Sequence, residues 1–527
     1  MDAQVVVVGG GPVGLLVAAE LAGRGVGVLV LESREAASER PKATTLHART
    51  AQSLARRGYR LGERGHGSGG PVGAEFHFAG MPGLNITVPS TEPGPIVKIE
   101  QSEVERLFAE RARATGVRVL RGHQVTRVVQ EGDMVRVAAR RADGSSATFT
   151  SGYLVGADGA RSTVREQQRI ESDTWDATVS ALMGRVRLRD PGAVLPGWHR
   201  TARGWVAVKD LLDGRVHLRT LSDRPCGGDR HTPPTVEELS QEVSWITGRE
   251  VAMEEPQWLS RFSDFSRLVR TYRAGRVFLA GDAAHVHFPI GGQGLSTGLL
   301  DAVNLGWKLA HAVQDTAGPG LLDSYDEERR PAARRVIDNT QAQVALMRVD
   351  PALAPLQELL GGMLASGTGS EYLGPLISAQ DTVLPGRLPG GAGSPWEGRF
   401  LENIALVTED GPTEVIDLLQ EGRFLLLLAG GGDAAERYVR EAGPWARELR
   451  VVRVPASGPE AGPGPGQEPG QELGAAASGE GLPCESLLVR PDGYIAWEPG
   501  AGCLREALSV YLGAARHPVE PEPAGYR

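Results

Sequence analysis

An α/β fold built around a Rossmann-like dinucleotide-binding unit is predicted by three features: a glycine-rich turn between an apolar strand and helix at the N-terminus, a second glycine-rich turn after an apolar strand past the middle, and runs of alternating strands between them. With 527 residues, 41% of them hydrophobic, the chain can build roughly three domains with large cores.

The first strand starts at Gln4 and runs through Val8 into Gly9-x-Gly11-x-x-Gly14, followed by a helix from about Val13 to Ala22. Gly9 makes the tight turn, Gly11 lets backbone approach a pyrophosphate, and Gly14 lets helix pack on strand. Amides and dipole at the helix start favour the anion. A second strand, Val26 to Leu31, ends on Glu32, placed to accept hydrogen bonds from a ribose. Its carboxylate repels a 2'-phosphate, so the site suits FAD or NAD better than NADP. The competing reading is a tight structural turn.

The strand Arg276 to Ala280 precedes Gly281-Asp282, and a glycine-rich loop leads through Pro289, Gly291, Gly292 and Gly294 into a helix from about Gly294 to Ala312. Asp282 at the strand end can hold a sugar alcohol such as ribityl. The helix start would stabilise negative charge on the pyrimidine side of a reduced isoalloxazine. The two glycine-rich segments together read as two ends of one bound flavin dinucleotide; alone, the second could be a capped loop before a buried helix.

Residues 72–100 and 174–272 hold alternating strands such as Ala181 to Leu188, Gly204 to Val208 and Arg215 to Thr220. They predict one inserted sheet covering the reactive face of the flavin, with Phe76, Phe78, Trp205, His217, Arg219 and Trp258 as candidates for a pocket. Helices follow from Tyr325 to about Leu364, then a loop-rich linker, 365–398. A third region, 399–527, contains strands Phe424 to Leu428 and Leu449 to Val454, and a hairpin from Ser486 to Trp497 turning at Pro491-Asp492-Gly493. Its segment 457–481, rich in Gly, Pro, Glu and Gln, is expected to be a mobile loop. Gly430-Gly431-Gly432 could open a second nucleotide site, but the following strand lacks an acidic end, and a turn with Asp433 as helix cap fits better.

The formal charge of −9 and the lack of a basic run argue against nucleic acid and for a small-molecule partner. No stretch of about 20 uninterrupted apolar residues predicts a membrane span. Cys226, Cys484 and Cys503 are too few and scattered for a disulfide framework or a metal site, which fits a cytoplasmic protein.

On the glycine fingerprint with Glu32, on Tyr153-Leu154-Val155-Gly156-Ala157-Asp158-Gly159-Ala160-Arg161-Ser162-x-x-Arg165, and on Gly281-Asp282 with Pro289-x-Gly-Gly-Gln-Gly extending through Asp301-Ala302-Val303-Asn304-Leu305-Gly306-Trp307-Lys308, the chain resembles the class A flavoprotein monooxygenases, and within them the aromatic polyketide and phenol hydroxylases. The resemblance implies a discontinuous FAD-binding domain (1–71, 101–173 and 273–364), a substrate domain (72–100 and 174–272) and a thioredoxin-like C-terminal domain without Cys-x-x-Cys. It implies flavin contacts by Gly9, Gly11, Pro12, Val13, Gly14, Glu32, Ser33, Arg34, Arg49, Gln101 and Val125. It extends them to Asp158, Gly159, Gly281, Asp282, Pro289, Gly292, Gly294, Leu295 and Ser296. One departure is Ser296, where the family usually has Asn; serine suits a helix cap, so the helix start is expected to survive.

In such enzymes NADPH or NADH reduces FAD without a separate nicotinamide domain, O2 adds at flavin C4a, and the hydroperoxide delivers one oxygen to an electron-rich ring. Pro289 would shape the oxygen side, and the base or cation that a phenol needs would be His217 or Arg219. The rivals are a Baeyer-Villiger oxygenase on the same scaffold and a non-catalytic flavin-binding sensor or scaffold.

Overall fold

The computed structural model describes residues 1–37, 42–61, 70–211, 213–222, 232–388, 394–455 and 482–515. Cys226 and the 457–481 loop lie outside them.

Four parallel strands form the centre. Ala3–Val8 lies between Val28–Leu31 and Ser146–Gly156, and Val277–Leu279 lies beyond the latter. Val8 stands opposite both Leu31 and Gly156, and Gly156 opposite Leu279, so all four C-terminal ends reach one edge together. Their Val- and Leu-rich sequences are buried, as strands covered on both faces must be. Open α/β sheets bind ligands at that edge. An antiparallel meander, His123–Glu131 and Met134–Arg141, feeds the start of Ser146–Gly156.

Two helices cross near this edge, Pro12–Ala22 and Gln293–Val313. Val13 is wedged where an added Cβ on Gly298 would stand 2.8 Å away and one on Gly281 3.1 Å away. Glycine at both positions lets the two turns, some 270 residues apart in sequence, sit against one side chain.

The insertion is a five-stranded antiparallel sheet in the order Gly197–Thr201, Gly204–Asp210, Val216–Ser222, Ser180–Leu188, Met253–Ser263. Helix Val236–Thr247 covers one face, packing Leu239, Val243 and Ile246 on Leu182, Val206 and Leu218. The other face looks toward the second glycine-rich loop. The expected single sheet is in fact two: Val72–Phe78 and Met81–Val88 form a separate ribbon, which joins through side chains, Phe78 and Ile86 meeting Trp205 and Leu221.

The linker reading also needs correction, because Thr368–Ser378 is a helix, after Ser324–Met347 and Ala354–Ala365. Its glycines resemble loop residues in sequence, yet Gly374 is there for packing: a Cβ would stand 3.0 Å from the Asn85 carbonyl oxygen.

The C-terminal region is a four-stranded sheet, Leu449–Val454, Phe424–Ala429, Ser486–Val489 and Ile495–Trp497, with helices Asp433–Ala442 and Leu504–Leu512 packed on its Trp497 and Phe424 side. The turn before Asp433–Ala442 is capped by Gly432, whereas Asp433 is the first helical residue and makes no side-chain cap bond, contrary to expectation. Among the described residues no helix is long and apolar enough to cross a membrane.

Candidate functional site

The parallel strand ends assemble the first half of the site. Gly9 has φ +107°, and a Cβ there would lie 2.3 Å from the Ala157 carbonyl oxygen; at Gly14 it would lie 2.0 Å from that of Gly9. Gly11, by contrast, meets nothing within 4 Å. Two glycines therefore serve the fold, and the third leaves open space at the start of Pro12–Ala22, with Pro12 at the first helical turn. Gly159, φ +81°, faces similar open space.

Glu32 is buried, accepting from the Gly10 N–H at 2.7 Å through Oε2 and from the Arg34 N–H at 2.8 Å through Oε1, with the Ser33 hydroxyl at 3.3 Å. The His123 N–H donates to the Glu32 carbonyl at 2.9 Å, which brings buried Val125 close to this edge. Asp158 uses both carboxylate oxygens on the protein, accepting from the Ser162 hydroxyl at 2.5 Å and the Val164 N–H at 3.1 Å, and so starts helix Thr163–Gln167. Burial pushes its carboxyl pKa up. Arg165 then reaches the Ala283 carbonyl at 2.9 Å, tying this segment to the Gly281-Asp282 turn.

That turn is held by Asp301. Its buried carboxylate accepts from the Gly281 N–H at 3.0 Å, His285 Nε2 at 2.8 Å and Arg329 Nε at 2.9 Å. Burial acts to raise its pKa, but His285 and Arg329 pull it below the usual range. Asp282, the neighbour of Gly281, remains exposed, with no hydrogen bond to its carboxylate among the described residues. Arg165, Asp301, His285 and Arg329 are positioning residues that sequence reasoning left out of the site, although the first two lie inside its motifs.

The loop from Pro289 to Gly292 turns through two left-handed glycines, Gly291 at φ +72° and Gly292 at φ +66°, and Gly292 caps Gln293–Val313. Ser296 is thus not the cap: it sits in the first helical turn, where its hydroxyl accepts from the His47 N–H at 3.2 Å. His47 Nε2 donates to the Gly291 carbonyl at 2.6 Å, and burial holds its pKa at about 4. His47 Nδ1 and His287 Nε2 are buried without partners, the latter beside Gly294, while Leu295 is half-buried. Open space at Gly11 and Gly159, an unengaged Asp282 and these two orphaned nitrogens fit an elongated polar cofactor along this path.

Two expected flavin contacts sit differently. Arg49 is buried on Phe400, 3.8 Å from its ring centroid, and donates to the Gln380 carbonyl at 2.8 Å and Gln52 Oε1 at 2.7 Å. Its charge is directed to the protein. Gln101 opens helix Gln101–Ala114 with its N–H on the Ala43 carbonyl at 2.9 Å, leaving its side chain half-buried and unbonded among the described residues.

Facing the loop is a narrow cleft lined by Trp198, Trp205, Arg219, Phe262, Phe288 and Pro289, with Ile290 and Met347 beside them. The Trp205 indole N–H donates to the Met347 carbonyl at 2.8 Å, and the Phe262 and Phe288 rings stand 5.3 Å apart. Arg219 has neither hydrogen bond nor ion pair among the described residues, and burial lowers its pKa. His217, two residues away on the same strand, does not line the cleft; it packs edge-on against Trp258 at 6.2 Å, with its pKa held at about 4 by burial and then by Arg219. Of the aromatic candidates, Trp205 lines the cleft, while Phe76, Phe78 and Trp258 do not. Trp198, Phe262 and Phe288 were missed, since the first two lie on the two edge strands of the inserted sheet and Phe288 on the loop after His285–Val286, and only the folded chain brings them together.

A family profile described as an FAD binding domain matches residues 2–340, and one described as aromatic-ring hydroxylase, C-terminal, matches 394–515. Whole-length relatives include the 12-dehydrotetracycline 5-monooxygenase/anhydrotetracycline 6-monooxygenase of Streptomyces rimosus subsp. rimosus, 37% identical over 97% of this chain and 99% of that protein. Another is the rifampicin monooxygenase of Rhodococcus hoagii, 34% identical over 97% and 98%. Among solved structures, the OxyS anhydrotetracycline hydroxylase from Streptomyces rimosus superposes with a TM-score of 0.84 at 34% identity, covering 98% of this chain and 100% of that one.

Proposed function

Because the chain belongs to the FAD-binding aromatic-ring hydroxylases and is a flavin-dependent monooxygenase, we propose that it hydroxylates a planar polycyclic phenol of polyketide type, consuming O2 and NADPH or NADH. The observation that carries this reading is Arg219, a guanidinium in an aromatic cleft beside Pro289 with no acidic partner among the described residues. A partly buried cation without a counter-charge is costly, and an anionic ligand oxygen offsets that cost.

Bound along this path, FAD would supply the activation of oxygen that the reaction needs. Glu32 would hold its ribose, the amides after Gly11 its pyrophosphate, Asp282 its ribityl chain, and the amides from Gly292 to Leu295 its pyrimidine end. Trp198, Trp205, Phe262, Phe288 and Met347 give the cleft an apolar wall against which flat rings can pack. Arg219 stabilises the phenolate form, which enriches the ring carbons ortho and para to that oxygen in electrons. No carboxylate or imidazole lines the cleft among the described residues, so the proton leaves to solvent and the cation holds the charge that remains.

The test is anaerobic reduction of the holoenzyme by NADPH or NADH, then mixing with O2 and polycyclic phenols or ketones, with product masses and positions recorded. One added oxygen as a ring hydroxyl supports the reading; a lactone replaces it with Baeyer-Villiger chemistry. A flavin that neither nicotinamide reduces would favour the non-catalytic scaffold.

A further inference from the structure

The open face of the inserted sheet carries an ordered set of side chains. Ala207 pairs with both Trp198 and Arg219, and Lys209 pairs with His217. Directly paired residues, and residues two apart on one strand, point to the same side. Trp198, Arg219 and Lys209 therefore share one face, with Lys209 one row out from Arg219, at an exposed position.

A row of rings leads outward along this face. Trp205 and Trp198 stand 6.2 Å apart, Trp198 and His77 4.6 Å, and His77 and Phe76 are stacked at 4.6 Å. The ammonium of Lys98, a residue at the surface, lies 5.7 Å from the Phe76 ring. The row thus starts in the cleft and ends at a cation.

Arg219, Lys209 and Lys98 have no carboxylate partner among the described residues, although the same insert pairs other arginines with acids: Arg185 and Arg215 with Asp213, Arg187 with Glu255, Arg261 with Glu238. In a chain of net charge −9 this is a local excess of positive charge. Partial burial and then the charge of Lys209 lower the Lys98 pKa, and burial and then Arg219 hold His77 at about 4.

We propose that the substrate is an extended polycyclic aromatic bearing an anionic group, a carboxylate or strongly acidic hydroxyl, remote from the reacting ring, and that Lys98 and Lys209 hold this group at the mouth while Arg219 holds the reacting end. The placement of the reacting ring rests on the hydroxylase reading. The rings of Trp198, His77 and Phe76 give such a molecule a continuous surface between its two charged ends.

The experiment titrates oxidised holoenzyme, through its flavin absorbance, with 1,8-dihydroxyanthraquinone-3-carboxylate and its 3-methyl analogue at low and high ionic strength. The carboxylate is expected to bind roughly five- to tenfold tighter at low salt, as two exposed charge pairs would give, with the difference shrinking in high salt. The double variant Lys98→Ala, Lys209→Ala should lose that preference while keeping its FAD content and its affinity for the methyl analogue. Equal binding by the wild-type protein, or a preference that survives the double substitution, overturns the proposal. So does a double variant that keeps the carboxylate preference but needs more NADPH for anaerobic flavin reduction, which would assign the lysines to the nicotinamide phosphates. Binding is read without turnover, so a selective acid binder that never yields oxygenated product would refute the hydroxylase reading alone.

Discussion

At single residues, function separates from folding most cleanly in the glycine fingerprint. A Gly14→Ala Cβ would sit 2.0 Å from a backbone oxygen, whereas a Gly11→Ala Cβ would meet no protein atom within 4 Å. Gly11→Ala should therefore leave the thermal midpoint of the apoprotein near wild type while weakening FAD retention, and Gly14→Ala should lower that midpoint in the apoprotein itself; differential scanning of flavin-stripped protein distinguishes them. Arg219→Met should keep its flavin yet lose roughly 30- to 100-fold in kcat/KM for a phenol, the worth of a hydrogen bond to a charged group. His217→Gln should change it less than about threefold, because the imidazole stands outside the cleft. The glycine roles were legible because each follows from local backbone geometry. Arg219 and His217 were not separable, since alternation puts both on one face but does not say how far each lies from the loop.

At the scale of elements, the helix Gln293–Val313 links flavin loop to core, and Asp301 is its anchor: one carboxylate holds the Gly281 amide, His285 and Arg329. Asp301→Asn removes the charge that compensates buried Arg329, so it should destabilise the protein by roughly 3 kcal/mol and speed FAD release, measured by denaturant unfolding and by flavin fluorescence. Strands flanking the motifs were readable from apolar runs and turn residues. Thr368–Ser378 was not, because Gly374 and Pro375 signal a loop, while the close approach to Asn85 that explains Gly374 exists only in the folded protein. The ribbon Val72–Phe78 with Met81–Val88 was legible as strands but not as a separate sheet, since edge pairing leaves no mark in a single strand.

Across the whole molecule, buried charges join the C-terminal region to the flavin helix. Glu328 pairs with Arg490 at 2.8 Å and Lys308 at 2.8 Å, Arg490 with Asp492 at 2.6 Å, and the Trp307 indole N–H donates to Asp492 at 3.0 Å. The hairpin turn Pro491-Asp492-Gly493 could be read as a turn; its contact with Trp307 could not, because the partners are far apart in sequence. Arg490→Met strands two carboxylates against one lysine and should cost roughly 3–5 kcal/mol, read as a fall in the denaturant midpoint. Burial opposes ionisation of Glu328, but Arg490 and Lys308 hold its pKa well below the ordinary 4.5. Its contribution is therefore in full force above pH 4.5 and declines as pH falls below it, a slope that Glu328→Gln should flatten in unfolding titrations between neutral and acid pH.

The most direct test of the central claim, that Arg219 holds a phenolate in the aromatic cleft beside the flavin loop, is the ionisation of a bound phenol. The visible spectrum of a hydroxyanthraquinone would be followed against pH, free and bound to the wild-type and Arg219→Met holoenzymes. The wild-type protein should lower the phenol's apparent pKa by about one unit or more, equivalent to about 1.4 kcal/mol, and Arg219→Met should return it to the free value. A bound phenol that ionises at the same pH in both proteins would contradict the account.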